Sequence, residues 1–231
     1  MGATISTHAV TPTHAVTPRP VCRVIAVTGI DGAGKSTLAE GLRQSLAARG
    51  TDVLVHKLRL FDNPAFGHYG DVLPQIAAMD GALGRDLRAA LISLEAARYA
   101  LIDVAAAKLR GSTVICDRYA SCAVSFLVAH AFPAQHAEVL GKLTPPPDVV
   151  CHLAIPVEVA VRRRHALGEH VSPDEEEFLH RMAGLLREYA VAQGGLVLDA
   201  QAPPADLVHS VLARLESPSG SARRTGHESA L

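Results

Sequence analysis

Residues 29–37 read Gly-Ile-Asp-Gly-Ala-Gly-Lys-Ser-Thr and follow the run Val24-Ile25-Ala26-Val27-Thr28. This is the pattern G-x-x-x-x-G-K-[ST], placed between an apolar strand-like run and a helix-like segment, the setting in which it cradles phosphate. Glycines let backbone N–H groups converge on anionic oxygens, and the helix start adds partial positive charge. A strand, a tight glycine loop and a helix in immediate succession restrict the chain to an α/β architecture. Gly29, Asp31, Gly32, Ala33, Gly34, Lys35, Ser36 and Thr37 are the nucleotide-binding candidates. Lys35 is expected on the β/γ-phosphates of ATP and the Ser36 hydroxyl on Mg²⁺. The alternative is an ordinary glycine-rich turn.

The rest of the chain continues the alternation. Short, β-branched runs at Val24–Thr28, Val53–Lys57, Thr113–Asp117, Val149–Ile155 and Leu196–Leu198 predict strands buried on both faces. Ser36–Arg49, Leu83–Arg110, Val157–Leu167, Pro173–Gln193 and Pro204–Leu215 predict helices, with Gly50 and Gly111 as C-terminal stops. Together they predict one three-layer α/β domain, a parallel five-stranded sheet flanked by helices, over residues 21–216. In such sheets ligands gather at the carboxyl ends of the strands. That rule gathers Gly29–Thr37, the residues after Lys57, and Asp117–Arg118 around one crevice.

Residues 7–12, Thr-His-Ala-Val-Thr-Pro, repeat at 13–18. The extension 1–20 and the Ser/Gly/Arg-rich tail 217–231 have too little apolar bulk to fold alone and read as disordered. His8 and His14 in such a segment make a poor metal site. The formal charge of −1 argues against a nucleic-acid partner, which calls for a strong basic excess. No run reaches a membrane span, and the N-terminus lacks the layout of a signal peptide. Four scattered cysteines without a C-x-x-C pair argue against disulfides or zinc. A cytoplasmic location is the expectation.

A guanine-reading Asn-Lys-x-Asp is absent, and a helicase or transporter needs more chain. Val114-Ile115-Cys116-Asp117-Arg118-Tyr119, read with the loop, resembles the second signature of the thymidylate kinase family of nucleoside monophosphate kinases. Leu94-Glu95-Ala96-Ala97-Arg98 resembles that family's helix with a substrate-facing arginine. Pro156-Val157-Glu158-Val159-Ala160 followed by Arg162-Arg163-Arg164 resembles the entry to its mobile lid, here about 162–178. The resemblance spans about residues 23–215. It implies a P-loop kinase that uses ATP and Mg²⁺, a small phosphate-bearing acceptor, and a homodimer formed through helices such as Leu83–Arg110.

Phosphoryl transfer to an acceptor that is already an anion needs no general base; it needs positioning and cations on both sides. Lys35 serves the donor. Arg118, at a strand end, suits a bidentate grip on the acceptor phosphate. Asp117 fits a carboxylate that holds Mg²⁺ or its hydration shell. The alternative for Asp117–Arg118 is a structural ion pair. Asp31 touches acceptor sugar or metal by resemblance, or else is a turn residue bonding its own loop. Arg98 is a ligand contact or a snorkelling core-edge residue. The loop carries no arginine of its own, so a catalytic arginine is expected from Arg162–Arg164, with Arg163 chosen; the alternative is a solvated basic patch. Asp174–Glu177 reads as a helix N-terminus.

Departures from the family bear on the acceptor. Arg59 and Phe61 stand near an element the family writes differently. Downstream of Asp-Arg-Tyr, beside Cys122, a base-reading position holds Ala123, and a sugar-policing tyrosine is Phe126. Arg59, Phe61, Arg98, Arg118, Cys122 and Phe126 are therefore the acceptor-side candidates. The leading expectation is a dTMP-like pyrimidine nucleotide acceptor. The alternatives are a non-standard acceptor (a modified nucleotide, nucleoside hydroxyl or phosphonate) and a non-catalytic nucleotide-binding protein.

Overall fold

The computed structural model describes residues 22–58, 75–76, 78–79 and 81–217. The repeat at 7–18, the tail beyond Ser217, and the candidates Arg59 and Phe61 lie outside the described residues.

Strands β1 (Val24–Thr28), β2 (Val53–Lys57), β3 (Thr113–Asp117), β4 (Val149–Ala154) and β5 (Leu196–Asp199) form one parallel sheet in the order β2-β3-β1-β4-β5. All residues of β1 and β3 are buried, which is why they appear in the sequence as unbroken apolar runs. Alternate residues of β1 feed two separate cores. Ile25 and Val27 pack with Leu38 and Leu42 of α1 (Lys35–Ala47), Leu179, Met182 and Leu186 of α7 (Pro173–Ala192), and Leu207 and Val211 of α8 (Pro204–Glu216). Val24 and Ala26 face the other core, with Ala89, Ile92 and Ala96 of α2 (Gly81–Arg98) and Leu140 of α5 (Ala134–Leu143). Each fully buried Leu or Ile contributes roughly 1.5–3 kcal/mol.

The sequence expectations are followed within a residue or two at most element ends. The exception is the long helix after Gly81. Past Arg98 it passes through a π-helical turn, Tyr99–Val104, before finishing as α3 (Ala105–Leu109). Two helices were not anticipated: α4 (Ala120–Ala129) and α5. Helix α4 sends Cys122 and Ala129 into one core and Ala120, Ala123 and Leu127 into the other. A helix buried on both sides has no polar face to give it a 3.6-residue signature.

Helix α6 (Val157–Ala166) leads into α7 through residues 167–172. The α7 start is closed by Ser172, whose Oγ accepts from the Glu175 N–H at 3.2 Å, with Pro173 next and Asp174, Glu175 and Glu176 in the first turn. That matches a helix N-terminus favoured by a capping hydroxyl and acidic charge. No helix among the described residues is long and apolar enough to cross a membrane.

Candidate active site

The chain leaves β1 at Thr28, turns through Gly29–Gly34 and enters α1 at Lys35. Gly32 and Gly34 hold φ of 86° and 94°, backbone that side chains other than glycine's rarely adopt. Gly32 also lies against α6: a Cβ there would come within 2.6 Å of the Ala160 carbonyl oxygen. The first amides of α1 have no acceptor one turn back, so they point outward at the loop mouth.

Lys35 is buried at 6% exposure. Its Nζ donates to the Ile30 carbonyl at 2.8 Å and to Asp31 Oδ1 at 3.3 Å. Burial, followed by the Arg118 charge, pulls the ammonium below its ordinary pKa, while Asp31 and Asp117 oppose the change. Arg118 Nη2 donates to the same Asp31 oxygen. One carboxylate oxygen therefore joins the cation of the loop to the cation at the end of β3. Burial works against the charge on Asp31, but Arg118 and Lys35 together outweigh it and hold the carboxyl below its usual range.

Asp117 and Arg118 are neighbours in sequence with different partners. Asp117 is 2% exposed. Its Oδ2 accepts from Ser36 Oγ at 2.6 Å, while Oδ1 is buried with no hydrogen-bond partner among the described residues. An orphaned buried carboxylate oxygen costs stability unless something fills its valence. The hydroxyl and carboxylate oxygens here are the hard donors that Mg²⁺ or its hydration waters prefer. Arg118 holds φ of 73° without being glycine, its N–H bonded to the Val27 carbonyl at 3.1 Å. That left-handed turn swings the guanidinium away from Asp117 and over the loop.

The arginines entering the lid region differ in their contacts. Arg163 donates to the Gly32 carbonyl at 3.3 Å and to the Ala200 carbonyl at 3.0 Å. It ties α6 to the phosphate loop and to the turn after β5. Arg164 is held by Glu169 at 2.7 Å and Glu175 at 2.5 Å, and its charge contributes to lowering Asp31. Arg162 is exposed. Glu169 and Glu175 are contacts that the sequence reading did not anticipate.

On the acceptor side, Arg98 is gripped by Glu95 through two hydrogen bonds of 2.9 and 2.8 Å and by Asp103 at 2.9 Å. The Glu95 bonds raise its pKa further. Glu95 itself is 6% exposed; an acid three residues before the arginine in an Ala/Leu-rich helix is the signal that would have exposed this pair. Cys122 is buried in the first turn of α4, and burial raises its thiol pKa. Phe126 is half-buried and packs on His130 and edge-on against Phe178 of α7, with ring centroids 4.4 and 5.5 Å apart.

Two cations on one carboxylate, beside a hydroxyl–carboxylate pair with an unfilled oxygen, can bind phosphate groups on either side of a transferable phosphoryl. The family model described as thymidylate kinase matches residues 27–211. The thymidylate kinase of Xanthomonas oryzae pv. oryzae (strain PXO99A) is 35% identical over 151 residues, 65% of this chain and 64% of that protein. The match therefore spans somewhat under two thirds of that relative's length. The thymidylate kinase of Xanthomonas campestris pv. campestris (strain B100) is 31% identical over 181 residues, 78% of this chain and 76% of its own. A "Probable thymidylate kinase" of Pyrobaculum calidifontis is 24% identical over 200 residues, covering 87% of this chain and 99% of that protein. With the family model matching most of the chain, and the loop and the strand-end arginine inside the matched residues, the chain belongs to the thymidylate kinase family.

Proposed function

We propose that this chain transfers the γ-phosphate of ATP to a nucleoside monophosphate, with dTMP or a related pyrimidine nucleotide as acceptor. The observation that carries the reading is Asp31 shared between Lys35 and Arg118. It sets a donor-side and an acceptor-side cation one carboxylate apart. Lys35 neutralises the β/γ-phosphate oxygens and Arg118 grips the acceptor phosphate, which is itself the nucleophile, so no base is required. Asp31 orients both cations until the nucleotides bind. Ser36 and Asp117 would hold Mg²⁺, which when bound neutralises charge on the phosphates. Arg163 fixes the lid entry onto the loop backbone, and Arg164 adds positive charge beside Asp31.

Support for dTMP comes from relatives named thymidylate kinase. A different acceptor is favoured by one observation: Ala123 is fully buried, and Phe126 presents no hydrogen-bonding atom. A site that reads a base by hydrogen bonding discriminates by far more than an apolar one. A coupled ADP-release assay with ATP, Mg²⁺ and dTMP, dUMP or unphosphorylated nucleosides tests the reading. Conversion of neither nucleotide removes the specific form, and turnover of nucleosides alone replaces it with a hydroxyl acceptor. Exposed Leu94, Leu101, Ile102 and Leu109 along the α2–α3 helix support a homodimer through that face, which light scattering would reveal as twice the chain mass.

A further inference from the structure

Behind the phosphate loop, between the end of β4 and α7, lies a cavity of about 200 Å³. It is lined by Ile30, His152 to Ile155, Ala183, Gly184 and Arg187. None of its lining residues is among those assigned above to ATP or acceptor.

Its walls are chemically asymmetric. Ile30, Leu153, Ile155 and Ala183 make an apolar body. The polar groups are His152 at the floor and the exposed Arg187 at the mouth, and no acidic side chain lines it. His152 is 3% exposed. Its Nδ1 meets the fully buried Thr28 hydroxyl at 3.2 Å, and its Nε2 has no partner among the described residues. Burial, Arg187 and Lys35 keep the ring neutral, its pKa brought down to about 4. An acceptor in the cavity therefore selects the tautomer with the proton on Nε2, leaving Nδ1 to accept from Thr28. No acidic side chain pairs with Arg187 among the described residues. Gly184 leaves the entrance open, since a Cβ there would meet nothing within 4 Å.

We propose that this cavity is a binding site for a small monocarboxylate with a compact apolar body, of the size of benzoate. An apolar cavity of roughly 150 Å³ takes benzene, so the volume here accommodates a ring and a carboxylate. A guanidinium and one imidazole N–H satisfy a carboxylate's two oxygens. They leave most of a phosphate's acceptor oxygens against hydrocarbon, which is unfavourable. Occupancy is coupled to the nucleotide site because the wall residue Ile30 holds Lys35 Nζ through its carbonyl.

The test is thermal unfolding and calorimetry of the full chain with benzoate, benzamide and inorganic phosphate, alongside the variants Gly184→Leu and Arg187→Gln. Benzoate at about ten times its Kd is expected to raise Tm by roughly 3–6 °C. Benzamide and phosphate give no such rise, and both variants lose the benzoate effect while melting as cooperatively as the parent. Benzoate is also expected to change the affinity for ATP at least about twofold, and ATP that for benzoate by the same factor. No saturable benzoate binding, equal protection by phosphate, or binding undiminished in both variants overturns the site. Binding with unchanged ATP affinity overturns its coupling to the loop. None of these readouts depends on which acceptor is phosphorylated.

Discussion

Replacing Gly32 with Ala isolates one consequence of how the loop is packed. Two penalties add at this position. The backbone sits at φ 86°, where a side chain costs about 1–2 kcal/mol. The new Cβ would also lie 2.6 Å from the Ala160 carbonyl oxygen, a backbone atom that cannot rotate aside, and displacing packed backbone adds roughly 1–3 kcal/mol. Gly34 supplies the control, since its φ is 94° but nothing lies within 4 Å of its virtual Cβ. Gly32→Ala is expected to lose roughly 2–5 kcal/mol and Gly34→Ala roughly 1–2 kcal/mol. At about 2–4 °C per kcal/mol for a domain of this size, the extra packing penalty makes the first variant melt roughly 2–12 °C below the second. Circular dichroism melts of both proteins without nucleotide measure this directly. Equal losses of Tm would show that the Ala160 contact carries no energy and that the loop is not braced by α6.

Lys35→Ala should lower kcat by about 10³-fold or more while leaving the fold intact, since it removes the buried donor-side cation; undiminished turnover rejects the assigned site. Asp117→Asn should shift the Mg²⁺ dependence of turnover to higher concentration, because the unfilled Oδ1 loses its charge, and an unchanged Mg²⁺ titration would separate Asp117 from the ion. His152 gives a pH signature. Its folded pKa of about 4 lies below the unfolded value, so protonation favours the unfolded chain. Stability from this group is intact above about pH 6.5 and falls by about 1.4 kcal/mol per pH unit between there and pH 4. Urea unfolding across that range should show the slope, and His152→Gln should flatten it. A variant with the parent's slope assigns the effect to other groups.

How much was legible in the sequence depended on where each signal resides. Strands β1 and β3 are buried on both faces, so their apolar runs mark them without any knowledge of partners. The loop carries its own chemistry in consecutive residues, and Asp117 is marked by its place at the end of β3. Helix α4 stayed hidden because it faces two cores. The π turn at Tyr99–Val104 depends on which carbonyl each N–H reaches, which residue type does not reveal. Arg163 looked like a catalytic cation; its contacts with Gly32 and Ala200 span 131 and 37 residues and exist only once the sheet is assembled. Asp117 and Arg118 had an ion pair as their alternative reading, and instead Asp117 bonds Ser36 while Arg118, on left-handed backbone, bonds Asp31.

The central place of β1 has a consequence for biosynthesis. Its neighbours are β3 and β4, and Val24 N–H bonds the Asp148 carboxylate across 124 residues of chain. A strand flanked by such distant partners forms late, because loop closure precedes any reward from pairing. The phosphate loop leaves the ribosome well before β4 does and is among the last segments to acquire its shape. While β4 remains inside the ribosome the loop has only one of its two flanking strands, so nucleotide cannot template early folding. It can only stabilise a sheet that is already closed, and nucleotide binding in a nascent chain should begin only after β4 has emerged.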